Sequence, residues 1–271
     1  WTKTYGGSNS EIGYSVKPTL DGGFIVVGNT YSFGAGGTDI YLIRVDSNGD
    51  SIWAKTYGTN FQEDGYFVNL TYDGGYIITG GSGGHICLMN VDSTGNLIWS
   101  KNYSTTSICY ANSVQQTTDG GFIITGAKGD FMVNAMDFYA LKTDSIGNVI
   151  WSKTFGGANN DAGINAHQTT DGGFILSGFT GSLGAGFNDA YLIKTDFNGN
   201  PIWEKTYGGV GNDNAISVQQ TTDGGYVLAG WCQSFGAGYY DFNFIKTDSW
   251  GNSGCNEGVA LTILSPPTTQ T

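Results

Sequence analysis

Apolar and polar positions alternate down this chain in short runs with a period of two, and Gly-rich polar turns break each run. Tyr14-Ser15-Val16-Lys17-Pro18-Thr19 alternates, as a half-buried strand does. Phe24-Ile25-Val26-Val27 is continuously apolar, the pattern of a strand covered on both faces. Ile40-Tyr41-Leu42-Ile43-Arg44-Val45 reads as a third strand. Ile52-Trp53-Ala54-Lys55-Thr56-Tyr57 reads as a fourth, with Trp53, Lys55 and Tyr57 on one face. Asp21-Gly22-Gly23 and Asp46-Ser47-Asn48-Gly49-Asp50 are short hairpin connections in which Gly supplies a positive φ. The other two connections, Ser32-Phe33-Gly34-Ala35-Gly36-Gly37 and residues 58–62, are longer.

This four-strand unit returns. Asp21-Gly22-Gly23-Phe24 recurs as Asp73-Gly74-Gly75-Tyr76, Asp119-Gly120-Gly121-Phe122, Asp171-Gly172-Gly173-Phe174 and Asp223-Gly224-Gly225-Tyr226, at intervals of 52, 46, 52 and 52. A period near 50 with strand content marks a propeller or solenoid. The expected fold is all-β, a five-bladed β-propeller with four antiparallel strands per blade over residues 1–258, followed by an extension or linker at 259–271. The last repeat lacks its Trp strand, with Cys255 in the Trp place, while Trp1-Thr2-Lys3-Thr4-Tyr5 is a fourth strand with no blade before it. The N-terminal strand is therefore expected to complete the fifth blade, close the ring and remove an exposed sheet edge.

The blades differ in their loops. Ser32-Phe33-Gly34-Ala35-Gly36 is matched by Ser182-Leu183-Gly184-Ala185-Gly186 and Ser234-Phe235-Gly236-Ala237-Gly238. Blade 2 keeps only Gly81-Ser82-Gly83-Gly84-His85, and blade 3 has Gly129-Asp130-Phe131-Met132-Val133-Asn134.

Composition narrows the partners. The 271 residues carry a net charge of −12, and nine of eleven Lys and Arg fall at two repeated strand positions, Lys3, Lys55, Lys101, Lys153 and Lys205, then Arg44, Lys142, Lys194 and Lys246. These are structural partners and not a basic patch, which argues against nucleic acid. No apolar run is long enough for a membrane helix. Gly, at 45 residues, is more than twice its usual share of roughly 7%. The opening at Trp1 and the Ser265-Pro266-Pro267-Thr268-Thr269 tail read as a monomeric domain cut from something longer.

Laid out this way, the repeat resembles those of secreted bacterial and archaeal cell-surface proteins. Trp151-Ser152-Lys153-Thr154-Phe155-Gly156-Gly157 and Asp189-Ala190-Tyr191-Leu192-Ile193-Lys194-Thr195-Asp196 carry the likeness. The resemblance implies a propeller and a secreted, cell-surface setting, and no particular activity. The Asp46, Gly49, Trp53 spacing also resembles a shortened tryptophan-docking motif of quinoprotein propellers, a packing device.

Candidate chemistry lies at the long-loop end. One acidic set is Asp39, Asp137, Asp189 and Asp241, with His85 in blade 2; the other is Glu11, Glu63, Asp161 and Asp213, with Cys109 in blade 3. The acids of both sets, His85 and Phe131 are the candidate ligand residues. They either hold the loops by accepting backbone N–H bonds or gather a cation, calcium among them, or sugar hydroxyls. The Asp46–Asp50 turn offers too few oxygens for a calcium loop. His85 and His167 fit no metal spacing, and no cofactor is expected. Trp53, Trp99, Trp151 and Trp203 read as packing between blades, whereas Trp231, Trp250, Phe131, Met132, Tyr239 and Tyr240 break the repeat and are recognition candidates. Cys87 and Cys109 replace a Tyr and an acid that accompany each other at other blade junctions, so a Cys87–Cys109 disulfide is expected, with Cys232–Cys255 a second pair.

These observations point to a non-catalytic recognition, adhesion or display module, with weak multivalent carbohydrate binding on the long-loop face. Two alternatives stay open: a glycoside hydrolase with channel carboxylates, and a spacer without ligand.

Overall fold

The computed structural model describes the backbone of residues 1–103, 107–130, 135–236 and 238–254, and the side chains of all of these but Asp130 and Ala135. The expected C-terminal extension, Cys255, Phe131 and Met132 lie outside the described residues. Among the described residues there are nineteen strands, and no helix is long and apolar enough to cross a membrane. The fold is all-β and its sheets keep chain order.

The first sheet is β1 (Glu11–Pro18), β2 (Phe24–Thr30), β3 (Asp39–Val45) and β4 (Ser51–Tyr57). The second is β5 (Glu63–Leu70), β6 (Tyr76–Ser82), β7 (His85–Val91) and β8 (Leu97–Tyr103). The third is β9 (Ile108–Gln116), β10 (Phe122–Asp130), β11 (Ala135–Thr143) and β12 (Val149–Phe155). The fourth is β13 (Asp161–Gln168), β14 (Phe174–Thr180), β15 (Asp189–Thr195) and β16 (Pro201–Tyr207). The last holds three strands, β17 (Asp213–Gln220), β18 (Tyr226–Cys232) and β19 (Asp241–Thr247). Two compact units are distinguished, residues 1–124 with 143–148, and residues 125–142 with 149–271.

Each turn works as its residues require. Gly22 has φ 85°, and its N–H bonds the Thr19 carbonyl at 3.0 Å. Asp46 Oδ1 accepts the amides of Asn48 and Asp50, both at 2.8 Å, so this carboxylate is bound to its own turn. The basic residues are fixed, as their repetition requires. Arg44 pairs with Asp21, Lys194 with Asp171 at 2.9 Å and Lys246 with Asp223 at 2.8 Å.

Within the first unit, the fourth strand of one sheet packs on the outer turn of the next. Trp53 lies at 6.1 Å from Tyr76, Lys55 Nζ donates to Asn96 Oδ1 at 2.8 Å, and the Tyr57 hydroxyl donates to the Gly95 carbonyl at 2.6 Å. The N-terminal residues repeat this toward the first sheet. Trp1 meets Phe24 edge-on at 6.4 Å, Lys3 bonds Asp50 at 2.6 Å and the Tyr5 hydroxyl donates to the Gly49 carbonyl at 2.5 Å. Yet residues 1–7 are not a strand, and the last sheet ends at β19. Among the described residues that sheet has no fourth strand. Phe242 and Phe244 of β19 are 79% and 62% exposed, where Ile40 and Leu42 of β3 are buried.

The expected Cys87–Cys109 disulfide is not formed, and the expected Cys232–Cys255 pair lies partly outside the described residues. Cys87, Cys109 and Cys232 are buried free thiols. Cys109 Sγ turns to the Tyr103 carbonyl at 3.4 Å, and Cys232 Sγ to that of Phe235 at 3.5 Å. Burial pushes the Cys87 thiol up to about 11, with the Glu63 charge adding to the effect.

Candidate functional site

The acids at the long-loop end are built into the loops. Glu63 stands at the head of β5, where its Oε2 accepts the Thr59 amide at 2.9 Å and its Oε1 the Thr59 hydroxyl at 2.6 Å. Glu11 accepts the Gly7 amide at 3.2 Å, Asp161 that of Gly157 at 2.9 Å and Asp213 that of Gly209 at 3.0 Å. Asp39 and Asp189, at the heads of third strands, accept the amides of Ala35 at 3.1 Å and Ala185 at 2.7 Å. Each carboxylate thus caps a loop four residues upstream by accepting one of its backbone amides.

Glycines make room for this. A Cβ added to Gly58 would strike Asp39 Oδ1 and come within 2.9 Å of Glu63 Oε2; one on Gly208 would strike Asp189 Oδ1 and lie 2.5 Å from Asp213 Oδ2. Two carboxylates therefore converge over one glycine at each of these sites. Burial raises the pKa of Asp39, opposed by the Ala35 amide and reinforced by the Glu63 charge. Burial likewise pushes Asp189 up to about 7, opposed by the Ala185 amide and reinforced by Asp213. Asp137 is raised by burial and by the Asp161 charge, and Asp161 by burial. Asp39 Oδ1 and Asp161 Oδ1 are buried without a hydrogen-bond partner among the described residues. Asp241, half-buried, begins β19 against Gly236. His85 takes the Asp place where a tight Gly83-Gly84 turn replaces the long loop, so no loop amide there needs a carboxylate.

With the carboxylates turned inward, aromatic side chains remain outward at the loops. Phe61, Phe187, Tyr239 and Tyr240 are exposed, and Tyr240 meets Trp231 edge-on at 4.8 Å. Phe61 and Phe187 are not among the aromatics singled out from the sequence, although Phe187 follows the repeated Ser182–Gly186 loop and stands in the place of Tyr239.

Two concavities were also not foreseen. One, of about 540 Å³, is bordered by Ile12 of the first sheet and by Asn9, Ser10 and Tyr31 just outside its strands. The other, of about 380 Å³, is at the short-turn end of the second unit and is lined by His167, Gln168, Thr170, Gln219, Gln220, Thr221 and Thr222. The signal for the second was His167 itself, which stands where the other repeats have Lys17, Asn69, Gln115 and Gln219. Among the described residues no three His, Cys, Asp or Glu gather as a metal site.

No family model and no curated protein matches this chain. Among solved structures it is similar to a protein of unknown function from Bacteroides caccae, at 9% identity and TM-score 0.55, over 91% of this chain and 81% of that one. That likeness is one of fold. A candidate exo-beta-1,3-galactanase from Bifidobacterium bifidum s17 aligns at TM-score 0.44 and 14% identity, over 93% of this chain and 90% of that one.

Proposed function

We propose that this chain is a secreted, non-catalytic cell-surface module that binds carbohydrate weakly, at repeated places on its long-loop face. Loop tips held by buried carboxylates and bearing exposed aromatic rings, Phe61 beside Glu63 and Phe187 beside Asp189 above all, support this most directly. Aromatic faces on rigidly held loops are stacking platforms for sugar rings, and several weak platforms gain through avidity.

The same proposal takes the five sheets as blades of one ring. Val16 of β1 is 57% exposed, although its equivalents Val68, Val114, Ala166 and Val218 are each 2% exposed or less. The first sheet thus has a bare trailing face, and the last a bare leading face at Phe242 and Phe244. Each carries the residues that sheets elsewhere in the chain use to bury one another. Closing the ring joins them and places Trp1–Tyr5 along β19.

A glycoside hydrolase would find a raised carboxyl in Asp189, whose pKa near 7 suits a general acid. Asp189 and Asp213 are both buried, however, and Gly208 closes over them. A general acid must reach the glycosidic oxygen, so the pair serves the loop instead.

The test is a glycan array probed with protein displayed at high density. Retention of a sugar class, weakened by Phe61→Ala and Phe187→Ala together, is the expected outcome. Failure to retain any glycan would dismiss the proposal.

A further inference from the structure

The cavity at the short-turn end of the second unit lies between the C-terminal ends of β13 and β17 and the turns that follow them. Its volume, about 380 Å³, is within the roughly 300–1,000 Å³ of small-molecule sites. Its lining is one imidazole, three side-chain amides and three hydroxyls: His167; Gln168, Gln219 and Gln220; Thr170, Thr221 and Thr222. No carboxylate and no ammonium enters it. The nearest acids, Asp171 and Asp223 of the adjoining turns, are neutralised by Lys194 and Lys246.

Gln168 and Thr170 recur as Gln116 and Thr118 in the third sheet and as Gln220 and Thr222 in the fifth, and His167 is the residue peculiar to the fourth. In the second sheet the position of Thr170 is held by Tyr72, and that of Gln168 by Leu70. The backbone is the same in both places. Thr170 N–H donates to Gln220 Oε1 at 2.9 Å, as Tyr72 N–H donates to Gln116 Oε1 at 2.7 Å. Where the second sheet carries a phenol ring and an apolar chain, the fourth carries a small hydroxyl and an amide on the same frame.

We infer that this cavity is a binding site for a neutral polyhydroxylated ring, a single uncharged sugar residue. Amides and hydroxyls offer donors and acceptors side by side, which is what adjacent sugar hydroxyls need. An uncharged lining gives no electrostatic reward to an anionic or cationic ligand. The inference rests on the carbohydrate proposal and deepens it, adding a directional site at the opposite end from the aromatic loops.

The experiment is saturation-transfer NMR of the whole chain with a panel of uncharged methyl glycosides, alongside glucuronate and glucosamine as charged probes. Thr170→Tyr carries the residue that the second sheet already tolerates on the same hydrogen bond, and His167→Ala is the second variant. Both are checked for an unchanged melting transition. Binding of a neutral glycoside that weakens about tenfold or more in each variant, a 1.4 kcal/mol loss, supports the site. Binding that survives both variants but falls with Phe61→Ala and Phe187→Ala overturns the site and leaves the loop proposal standing. Preference for a charged probe overturns it as well. Absence of all sugar binding overturns both.

Discussion

Asp189 and Asp213 place carboxylate oxygens together over Gly208, whose missing Cβ leaves them the space. Asp39 and Glu63 do the same over Gly58. Two like charges share a site where water is scarce, and the inexpensive remedy is to keep a proton on one of them.

A pH dependence follows. Asp189 binds its proton up to about pH 7 in the folded chain and only to its ordinary value of 3.8 when unfolded. Between these values the native state holds a proton that the unfolded state has released, so stability falls as pH rises. Asp39, Asp137, Asp161 and Glu204 are raised by burial and act in the same direction. Asp92, drawn down to about 2 by its turn's hydrogen bonds, has the opposite sign but acts only below pH 4. The urea midpoint should therefore drop between pH 4.5 and 8, and Asp189→Asn should flatten that drop. A wild-type midpoint that is level across this range contradicts the shared-proton account.

Gly208→Ala and Gly58→Ala each push a methyl group into two carboxylates, one of which cannot retreat without giving up its loop amide. Loss of about 1–3 kcal/mol is expected for each, in the range for overpacking. Chemical denaturation of the two variants measures it. Wild-type stability in both would mean that the convergence over glycine is loose.

Much of this was legible beforehand. Strand positions, turn types and the fixed roles of Arg44, Lys194 and Lys246 follow from repetition, because five copies of one unit expose which residues the backbone demands. The Asp46 turn was likewise readable as an Asp bonding its own chain. Other features depend on what only coordinates give. Cys87 and Cys109 change together in sequence, yet the sulfur of Cys109 turns to Tyr103, a direction that spacing cannot encode. The cavity at His167 is bordered by Gln and Thr residues that recur in the third and fifth sheets, so His167 is its one mark in the sequence and its volume is seen only in coordinates.

Cys87, Cys109 and Cys232 should resist modification while the chain is folded, since each is buried and a thiolate, not a thiol, is the nucleophile. Burial pushes Cys87 up to about 11, far from any thiolate at neutral pH. Alkylation at pH 8 without reductant should leave all three untouched, and labelling in denaturant should modify every one. Protection that persists in denaturant until reductant is added would restore the disulfides.

The proposed ring closure has a register that can be tested residue by residue. In the first sheet Tyr41 of β3 opposes Thr56 of β4, and in the fourth Tyr191 opposes Thr206. Asn243 occupies the Tyr41 place in β19, since it opposes Gly230 as Tyr41 opposes Gly28. Thr4 occupies the Thr56 place, because Trp1, Lys3 and Tyr5 make toward Phe24, Asp50 and Gly49 the contacts that Trp53, Lys55 and Tyr57 make toward Tyr76, Asn96 and Gly95. Opposed strand residues have Cα atoms about 4.5–5.5 Å apart, a span that a disulfide bridges without strain. The double variant Thr4→Cys, Asn243→Cys should therefore form an intramolecular bond under mild oxidation, seen as faster migration without reductant and a higher melting temperature. Thr2→Cys with Asn243→Cys, two residues out of register, should not. Cross-linked dimers would instead place the N-terminal segment on a second copy. No bond at all would leave β19 an open edge and the five sheets an unclosed row.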